Sequence, residues 1–120
     1  MTSIDSNSPR ILVVEDEYLI AEDVCSMLEE AGVDVLGPAP DLDSAMALLK
    51  AEARVDGALL DVNLRGKEVY ALADALTARN VPFAFTTGYE RWMLPERFAQ
   101  SDMIEKPVQP RDLDRLLKRG

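Results

Sequence analysis

Five short apolar runs, separated by longer segments with helical periodicity, constrain the fold more than any other feature of this sequence. Such alternation is typical of repeated strand–helix units that build a parallel sheet. The runs that we interpret as strands are Ile11 to Val14, Val33 to Leu36, Ala58 to Leu60, Val81 to Phe85, and Met103 to Ile104. The pattern therefore predicts an α/β fold with a five-stranded parallel sheet.

The segments between these runs carry apolar residues at spacings of three and four, as amphipathic helices do. In the first helix this apolar stripe is followed by Gly32, which suits a C-cap. A second helix can begin with Asp41 or Asp43 as its N-cap, and a third runs from about Lys67 to Arg79. The stripe of the first helix consists of Leu19, Ile20, Val24, Met27, Leu28 and Ala31.

The segment from Gly88 to Ser101 interrupts this regular pattern. Pro95 lies in its middle, and proline lacks the N–H that a helix interior needs and clashes with the preceding turn. We therefore expect the fourth helix of the fold to be short or irregular.

Length and charge limit the possible functions. The 120 residues suit one domain over residues 10–120, preceded by a flexible leader of residues 1–9. The net charge of −9 repels nucleic acids and anionic membranes, and no apolar stretch approaches the roughly 20 residues that span a bilayer. We expect a cytoplasmic protein that binds neither nucleic acid nor membrane, with its single cysteine, Cys25, filling the core.

The absence of histidine from the sequence excludes Ser-His-Asp and Cys-His catalytic sites and histidine metal ligands. Any chemistry must therefore use carboxylates, hydroxyls and lysines. These groups are concentrated directly after the predicted strands, whose carboxyl ends meet at one edge of a parallel sheet. The residues concerned are Glu15, Asp16, Asp61, Thr86, Thr87, Glu105 and Lys106.

Carboxylates brought together at one edge repel one another by roughly 4 kcal/mol for a pair about 4 Å apart at an effective dielectric near 20. A divalent cation relieves that repulsion, and hard oxygen ligands select Mg²⁺, for which Mn²⁺ can substitute. The same set suits transfer of a phosphoryl group to a carboxylate, because a cation, an ammonium group and a hydroxyl stabilise the charge of the transferred group. Lys106 and Thr87 have the required chemistry.

Together these residues resemble the receiver domains of two-component response regulators, over nearly the whole chain. The resemblance implies a flavodoxin-like, doubly wound (βα)5 fold with strand order 2-1-3-4-5. The segment FTTGY, residues 85–89, further resembles a stand-alone subgroup of receivers with a Phe-Ala-Thr-Gly-Tyr-like motif. The motifs that carry the resemblance are Glu15-Asp16 after the first strand, Asp61 in LLDVNLRG, Thr87-Gly88, and Lys106-Pro107.

The resemblance implies a role for each of these residues. Asp61 is implied as the phosphoryl acceptor, while Thr87 bonds to the phosphoryl group and Lys106 pairs with it. A cis peptide between Lys106 and Pro107 is also implied. The implied ligands of Mg²⁺ are Asp16, Asp61, the backbone carbonyl of Asn63 and, mostly through water, Glu15.

The position three residues before the lysine is usually an aromatic switch residue in receivers, and here it is Met103. Tyr89 is the nearest aromatic replacement, and Trp92 is a candidate for contact with a partner. We therefore predict that the switch is a change of order in residues 88–101. Thr87 is preferred to Thr86 as the phosphoryl-bonding hydroxyl because the small residue Gly88 follows it.

The implied function is a phosphorylation-dependent signalling switch rather than an enzyme. Because the chain has no histidine, the phosphoryl group would come from a sensor histidine kinase, possible types being HWE and HisKA2, or from a phosphotransfer protein. The downstream partner is a protein that the sequence does not identify.

Two alternatives stay open. A haloacid-dehalogenase-like phosphatase would carry its nucleophile on the first strand as Asp-x-Asp, and a degenerate receiver would act only as a docking module. Reaction with a small phosphodonor separates these alternatives from an active receiver. An active receiver should form one stable adduct, a phosphatase should turn the donor over, and a docking module should not react.

Overall fold

The structure, a computed structural model, describes residues 8–64, 67–88 and 94–117. Its strands are β1 (Arg10–Val14), β2 (Asp34–Ala39), β3 (Gly57–Asp61), β4 (Asn63–Leu64), β5 (Lys67–Glu68), β6 (Phe83–Thr87) and β7 (Asp102–Glu105). Its helices are α1 (Tyr18–Glu30), α2 (Leu42–Ala51), α3 (Tyr70–Ala78) and α4 (Pro110–Leu117), with a 3-10 turn at Glu96–Phe98. Among these described helices, none is long and apolar enough to cross a membrane.

Five of the strands form one parallel sheet in the order β2-β1-β3-β6-β7. Counted among themselves, these strands have the order 2-1-3-4-5, which confirms the predicted topology. The central strand, β3, is buried at all five positions. Its last residue, Asp61, therefore lies at the middle of the carboxyl edge, between the ends of β1 and β6.

The strand β6 begins two residues later than the sequence pattern predicts. The Val81 N–H donates to the Leu76 carbonyl at 2.9 Å, so Val81 closes the end of α3 and does not enter the sheet. In compensation, the strand continues through Thr86 and Thr87, which pair with Asp61 of β3 and with β7. The two threonines thus belong to the strand and not to the loop after it.

The predicted start of the third helix at Lys67 is also wrong. The helix begins at Tyr70, and Lys67–Glu68 instead pair antiparallel with Asn63–Leu64 as the short ribbon β4–β5. Pairing in the ribbon provides hydrogen-bond partners for backbone N–H and C=O groups of Lys67 and Glu68, which therefore do not need to join the helix. The apolar residues that bury α3 start only at Val69 and Tyr70, which explains why the helix starts there.

Helix α1 buries one face, but the predicted stripe is wrong at Leu19, which is 72% exposed. At about 100° per residue, Leu19 lies roughly opposite the buried residues Ala21, Val24 and Leu28. Ala31 is also exposed, because the helix has already ended at Glu30.

The end of α1 confirms the predicted glycine cap. Gly32 has a φ of +85°, a conformation that glycine adopts without the Cβ penalty. Its N–H donates to the Glu29 carbonyl, and the Val33 N–H donates to the Leu28 carbonyl, both at 3.0 Å. These are the two bonds of a Schellman motif.

The sheet separates two apolar layers, one beneath α2 and α3 and the other beneath α1 and α4. Phe98, on the 3-10 turn that follows Pro95, stacks on Tyr70 with ring centroids 5.8 Å apart and meets Phe83 and Phe85 edge-on. This turn confirms that the fourth helix is short in its described part. Cys25 packs partly buried against the layer beneath α1, and burial together with the Glu29 charge raises the pKa of its thiol.

The amino ends of the strands are joined by charged side chains. The Arg10 guanidinium contacts Asp34 at 3.0 Å and Glu52 at 2.8 Å. The Arg10 backbone N–H donates to Asp56 at 2.8 Å, and Arg54 pairs with the same carboxylate oxygen at 3.1 Å. These bonds connect β1 to β2, to the end of α2 and to the residue before β3.

Arg79, directly after α3, caps the neighbouring helix α2. Its guanidinium donates to the carbonyls of Leu49, Glu52 and Ala53 at 2.5, 2.8 and 3.1 Å. The last carbonyls of a helix have no partner within the helix. Arg79 therefore satisfies the end of α2 and ties α3 to it.

Candidate functional site

At the carboxyl edge of the sheet the structure brings together Glu15, Asp16 and Asp61, whose carboxylate oxygens lie within 4.8 Å of one another. Glu15 and Asp61 are only 5% and 6% exposed, and Asp16 is half-buried. Two of the three carboxylates are therefore largely removed from water, which makes their mutual repulsion stronger than on an open surface. This is the arrangement that the sequence predicts for these residues.

Glu15 is held in place by the backbone of β2. Its N–H donates to the Ala39 carbonyl at 3.0 Å, and its own carboxylate accepts the Glu17 N–H at 3.1 Å. Leu12 pairs with Leu36 but Val14 pairs with Ala39, so β2 contains one extra residue at this point. That bulge carries the Ala39 carbonyl to the position where it meets Glu15.

Gly37 makes the bulge in β2 possible. Its φ is +103°, and a Cβ at this position would lie 2.8 Å from the Ala39 nitrogen and 2.9 Å from the Val13 carbonyl oxygen. Both distances are shorter than a side chain tolerates, so only glycine fits without moving the backbone. The following Gly37–Pro38 peptide is cis, which the sequence did not lead us to expect.

Lys106 reaches into the acidic cluster from the loop after β7. Its Nζ lies 2.9 Å from Glu15 Oε1 and 3.4 Å from Asp61 Oδ2, and the side chain is 13% exposed. Burial opposes the charge of Lys106, but the hydrogen bond to Glu15 and the charges of Asp61 and Glu15 outweigh it and raise the pKa of the lysine above its usual value. Lys106 is therefore a firmly charged ammonium group between two carboxylates.

The backbone fixes Lys106 at this point. Its N–H donates to the Thr87 carbonyl at 2.8 Å, which ties the loop to the end of β6. The Lys106–Pro107 peptide is cis, which confirms the expectation from the sequence.

Both threonines at the end of β6 are buried, Thr86 at 5% and Thr87 at 1% exposure. Asp61 is paired in register with Thr86, whereas Thr87 is paired with Glu105. The Val62 N–H also donates to the Thr86 carbonyl at 3.0 Å. Thr87, which the sequence favours as the phosphoryl-bonding hydroxyl, therefore lies one residue after the partner of Asp61 in β6.

The remaining candidates lie at different places. Asn63 is on β4, two residues after Asp61. Met103 is half-buried on β7, is paired with Phe85 and packs against the layer beneath α2 and α3. Tyr89 and Trp92 lie outside the described residues.

A groove of about 600 Å³ opens from the acidic cluster along α1. Its walls are mixed, with acidic and basic groups at one end and apolar side chains along its length. The apolar residues are Ile20, Val24, Met27, Pro107 and Val108, of which the sequence singled out only Pro107 as part of a site motif. The groove gives a bulky reactant a route to Asp61.

The donor set of the cluster fits a hard divalent cation. Glu15, Asp16 and Asp61 offer only carboxylate oxygens, which Mg²⁺ prefers and which do not favour zinc. Among the described residues, one ammonium group, that of Lys106, contacts two of these three carboxylates, so the described part of the ionised cluster has an excess of negative charge.

Comparison with known proteins agrees with this geometry. Residues 11–118 match the family model described as the response regulator receiver domain. The chain is 32% identical over 113 residues to the phyllosphere-induced regulator PhyR of Methylorubrum extorquens, covering 92% of this chain and 42% of PhyR. The chain spans about half the length of the curated relatives it matches.

Among solved structures, the solution structure of SdrG from Sphingomonas melonis superimposes with a TM-score of 0.83 and 34% identity, covering 95% of this chain and 97% of SdrG. The BeF3-activated conformation of SdrG gives a TM-score of 0.76 and 35% identity, with the same coverage of both chains. With the family model spanning nearly the whole domain, these similarities assign the chain to one family. This chain belongs to the response regulator receiver domains.

Proposed function

We propose that Asp61 is the phosphoryl acceptor of this receiver domain. The observation that carries the proposal is the juxtaposition at the carboxyl edge, where Asp61 lies within 4.8 Å of two further carboxylates and 3.4 Å from Lys106. A carboxylate so placed can act as a nucleophile if its negative surroundings are neutralised. The existence of a BeF3-activated form of SdrG supports the proposal.

Mg²⁺ is the cofactor that we propose for this site, with Mn²⁺ as a substitute. Asp16, Asp61 and the Asn63 carbonyl would hold the ion directly, and Glu15 mostly through water. When bound, the ion supplies positive charge against the oxygens of the incoming phosphoryl group.

Three side chains of the protein would have separate roles in the phosphoryl transfer. An Asp61 carboxylate oxygen forms a bond to phosphorus while the bond from phosphorus to the donor atom breaks, and that electron pair leaves with the donor. Lys106 stabilises the negative charge of the transferred group, since its raised pKa keeps it protonated. The Thr87 hydroxyl bonds to the phosphoryl oxygens once it has turned toward them.

These 120 residues contain no histidine, so we propose a histidine of another polypeptide as the physiological donor. We propose a sensor histidine kinase or a phosphotransfer protein as the partner that enters along the groove beside α1. At the start of that helix, Tyr18 and Leu19 are 71% and 72% exposed, which offers apolar contact to such a partner. If FTTGY marks the stand-alone subgroup, we propose a kinase of the HWE or HisKA2 type as this partner.

We further propose that phosphorylation changes the order of residues 88–101 and thereby the affinity for a downstream protein in the cytoplasm. The described end of this segment is firmly held. Arg97 pairs with Asp74 through two hydrogen bonds, at 2.9 and 3.0 Å, and Phe98 is buried against the aromatic side chains of the core. A change of order would therefore be confined to the part near Gly88, which directly follows Thr87.

Intact-mass measurement with acetyl phosphate and Mg²⁺ tests the acceptor. The domain should gain one adduct of about 80 Da, the mass of a phosphoryl group, and Asp61→Asn should gain none. Asp61→Glu should also stay unmodified, because one additional methylene moves the attacking oxygen out of position.

Asp56→Asn is the matched control, because it neutralises an acid at the opposite end of the sheet. It should be modified like the wild type. An adduct in Asp61→Asn contradicts the assignment, continuous turnover of the donor indicates a phosphatase, and no reaction indicates a docking module.

A further inference from the structure

Strand β2 contains one residue more than β1 where the two strands approach the candidate site. Leu12 pairs with Leu36 and Val14 pairs with Ala39, so three steps along β2 correspond to two along β1. Leu36 and Ala39 nevertheless belong to the same apolar layer, whereas residues three apart in a regular strand point to opposite faces. The bulge therefore lies between these two residues.

Pro38 explains why a bulge is needed here. A regular register would pair Val14 with Pro38, which has no backbone N–H to donate to β1. The bulge passes over the proline and brings Ala39 to the pairing position instead. The Ala39 carbonyl then accepts the Glu15 N–H at 3.0 Å. The last pairing of β1 with β2 therefore depends on the bulge.

Gly37 is the residue that allows the bulge. A Cβ at this position would lie 2.8 Å from the Ala39 nitrogen and 2.9 Å from the Val13 carbonyl oxygen. These two atoms belong to the strands that meet at the pair Val14–Ala39, so a side chain would push β2 away from β1 at that pair. The Ala39 carbonyl would then move away from the Glu15 N–H.

The contacts of Glu15 carry such a movement into the candidate site. Its Oε2 atom accepts the Glu17 N–H at 3.1 Å, and its Oε1 atom lies 2.9 Å from Lys106 Nζ. Because both carboxylate oxygens are engaged, a shift of the Glu15 backbone would disturb at least one of these contacts. Asp16, the next residue, belongs to the same carboxylate cluster and would move with it.

We propose that Gly37 is a positioning residue for the cation site. By permitting the bulge, it holds the backbone of Glu15 and Asp16 in the position from which their carboxylates meet Asp61. Groups that orient metal ligands without touching the ion change metal affinity by roughly 10- to 100-fold when they are lost. The proposal rests on the proposed function, since it assumes that these carboxylates bind Mg²⁺ or Mn²⁺.

The experiment measures the dissociation constant for Mn²⁺ from the electron paramagnetic resonance signal of the free ion, together with the free energy of unfolding of each variant. Gly37→Ala should bind Mn²⁺ about tenfold more weakly than the wild type. Gly32→Ala is the matched control, because it also replaces a glycine of positive φ, +85°, but no described atom lies within 4 Å of the added Cβ. It should lose stability yet bind Mn²⁺ within about twofold of the wild type, because it strains the far end of α1.

Deletion of Pro38 provides a rescue. It removes the extra residue, so a regular β2 would still pair Val14 with Ala39, and residue 37 would have an extended conformation that alanine adopts without strain. The double variant, Gly37→Ala with Pro38 deleted, should therefore bind Mn²⁺ within about threefold of the wild type. If Gly37→Ala alone does not fold, the double variant should still fold and bind.

The outcomes separate this proposal from the proposed function. Three results would each contradict the positioning role: wild-type affinity in Gly37→Ala, an equal loss of affinity in Gly32→Ala, and a double variant that is unfolded or binds no better than Gly37→Ala. In all three cases Mn²⁺ binding by the wild type and adduct formation on Asp61 would be unaffected, so the proposed function would stand. If the wild type binds no Mn²⁺, the proposed cation site is wrong and the positioning role fails with it.

Discussion

The two ends of the sheet both gather charged side chains, but they differ in balance. At the amino ends of the strands, Arg10 and Arg54 face Asp34, Glu52 and Asp56, so cations and acids nearly match. At the carboxyl ends, the described part of the chain has Lys106 in contact with Glu15 and Asp61, and Asp16 lies beside them. Among the described residues, the first cluster is therefore close to balanced, whereas the second has an excess of acid that a ligand can neutralise.

This difference gives a way to distinguish charged clusters that hold the fold together from charged clusters that bind a ligand. A balanced cluster satisfies its members and connects the elements that carry them, so its loss should weaken the fold. An unbalanced, buried cluster costs stability by itself and gains it when a cation binds. Changes at the two ends should therefore have different effects on stability and on the response to Mg²⁺.

The largest effect should come from Mg²⁺. A cation present at a hundred times its dissociation constant adds about 2.7 kcal/mol to the free energy of unfolding, which raises the melting temperature by on the order of 10 °C for a domain of this size. Asp16→Asn and Asp61→Asn should lose most of this rise, and Asp56→Asn should keep it. A wild-type melt that does not respond to millimolar Mg²⁺ would contradict the site.

A smaller effect is expected from Arg79→Met, which removes the cap from the end of α2. Three carbonyls lose their guanidinium partner, and we expect a loss of about 1–2 kcal/mol in the free energy of unfolding. Chemical denaturation measures this loss. The Mg²⁺-dependent increase in stability should stay the same, because Arg79 lies at the balanced end; a smaller increase would show that the two ends are coupled.

Neutralising one acid at each end without Mg²⁺ should change stability in opposite directions. Asp16→Asn relieves repulsion in the acidic cluster and should raise the free energy of unfolding by up to about 1 kcal/mol. Asp56→Asn weakens its bonds to Arg10 and Arg54 and should lower it by about 1 kcal/mol. Changes of the same sign in parallel denaturation curves would remove the distinction between the two ends.

The titration of Lys106 should have the smallest effect on stability at neutral pH, because it takes place only under alkaline conditions. Its pKa in the folded protein is raised above the ordinary 10.5, so its stabilising contribution is fully present below pH 10.5 and is lost as pH rises through the raised value. Lys106→Met should remove this alkaline dependence. Lys50→Met, at the exposed last turn of α2, is the control and should keep it; equal alkaline curves for both variants would contradict the assignment.

Much of the fold could be predicted because strand and helix periods differ. The five strands and their order follow from apolar runs and from the resemblance to receivers, and Gly32 marked the end of α1. The errors arose where the structure depends on which strands pair or on which face of a helix a residue occupies. The ribbon β4–β5 replaces the first turn of the predicted third helix, and Leu19 fits an apolar spacing while lying on the solvent side of α1.

The candidate site was predictable in composition but not in arrangement. Parallel strands bring their carboxyl ends together, so the meeting of Glu15, Asp16 and Asp61 follows from the sequence alone. Which threonine lies beside Asp61 depends on the register of β3 and β6, because a shift of one residue reverses the faces. No local pattern in FTTGY contains that information.

Gly37 also limits how receiver domains can be recombined. The bulge that it permits carries the Ala39 carbonyl to the Glu15 N–H, so a strand distant in sequence sets the backbone of an acidic residue in the candidate site. A chimera that combined β1 and Glu15 of this chain with a β2 lacking glycine at this position would inherit every acidic residue but a displaced carbonyl. In the design of hybrid receivers, residues 13–15 and 37–39 therefore form a single module that should be exchanged together.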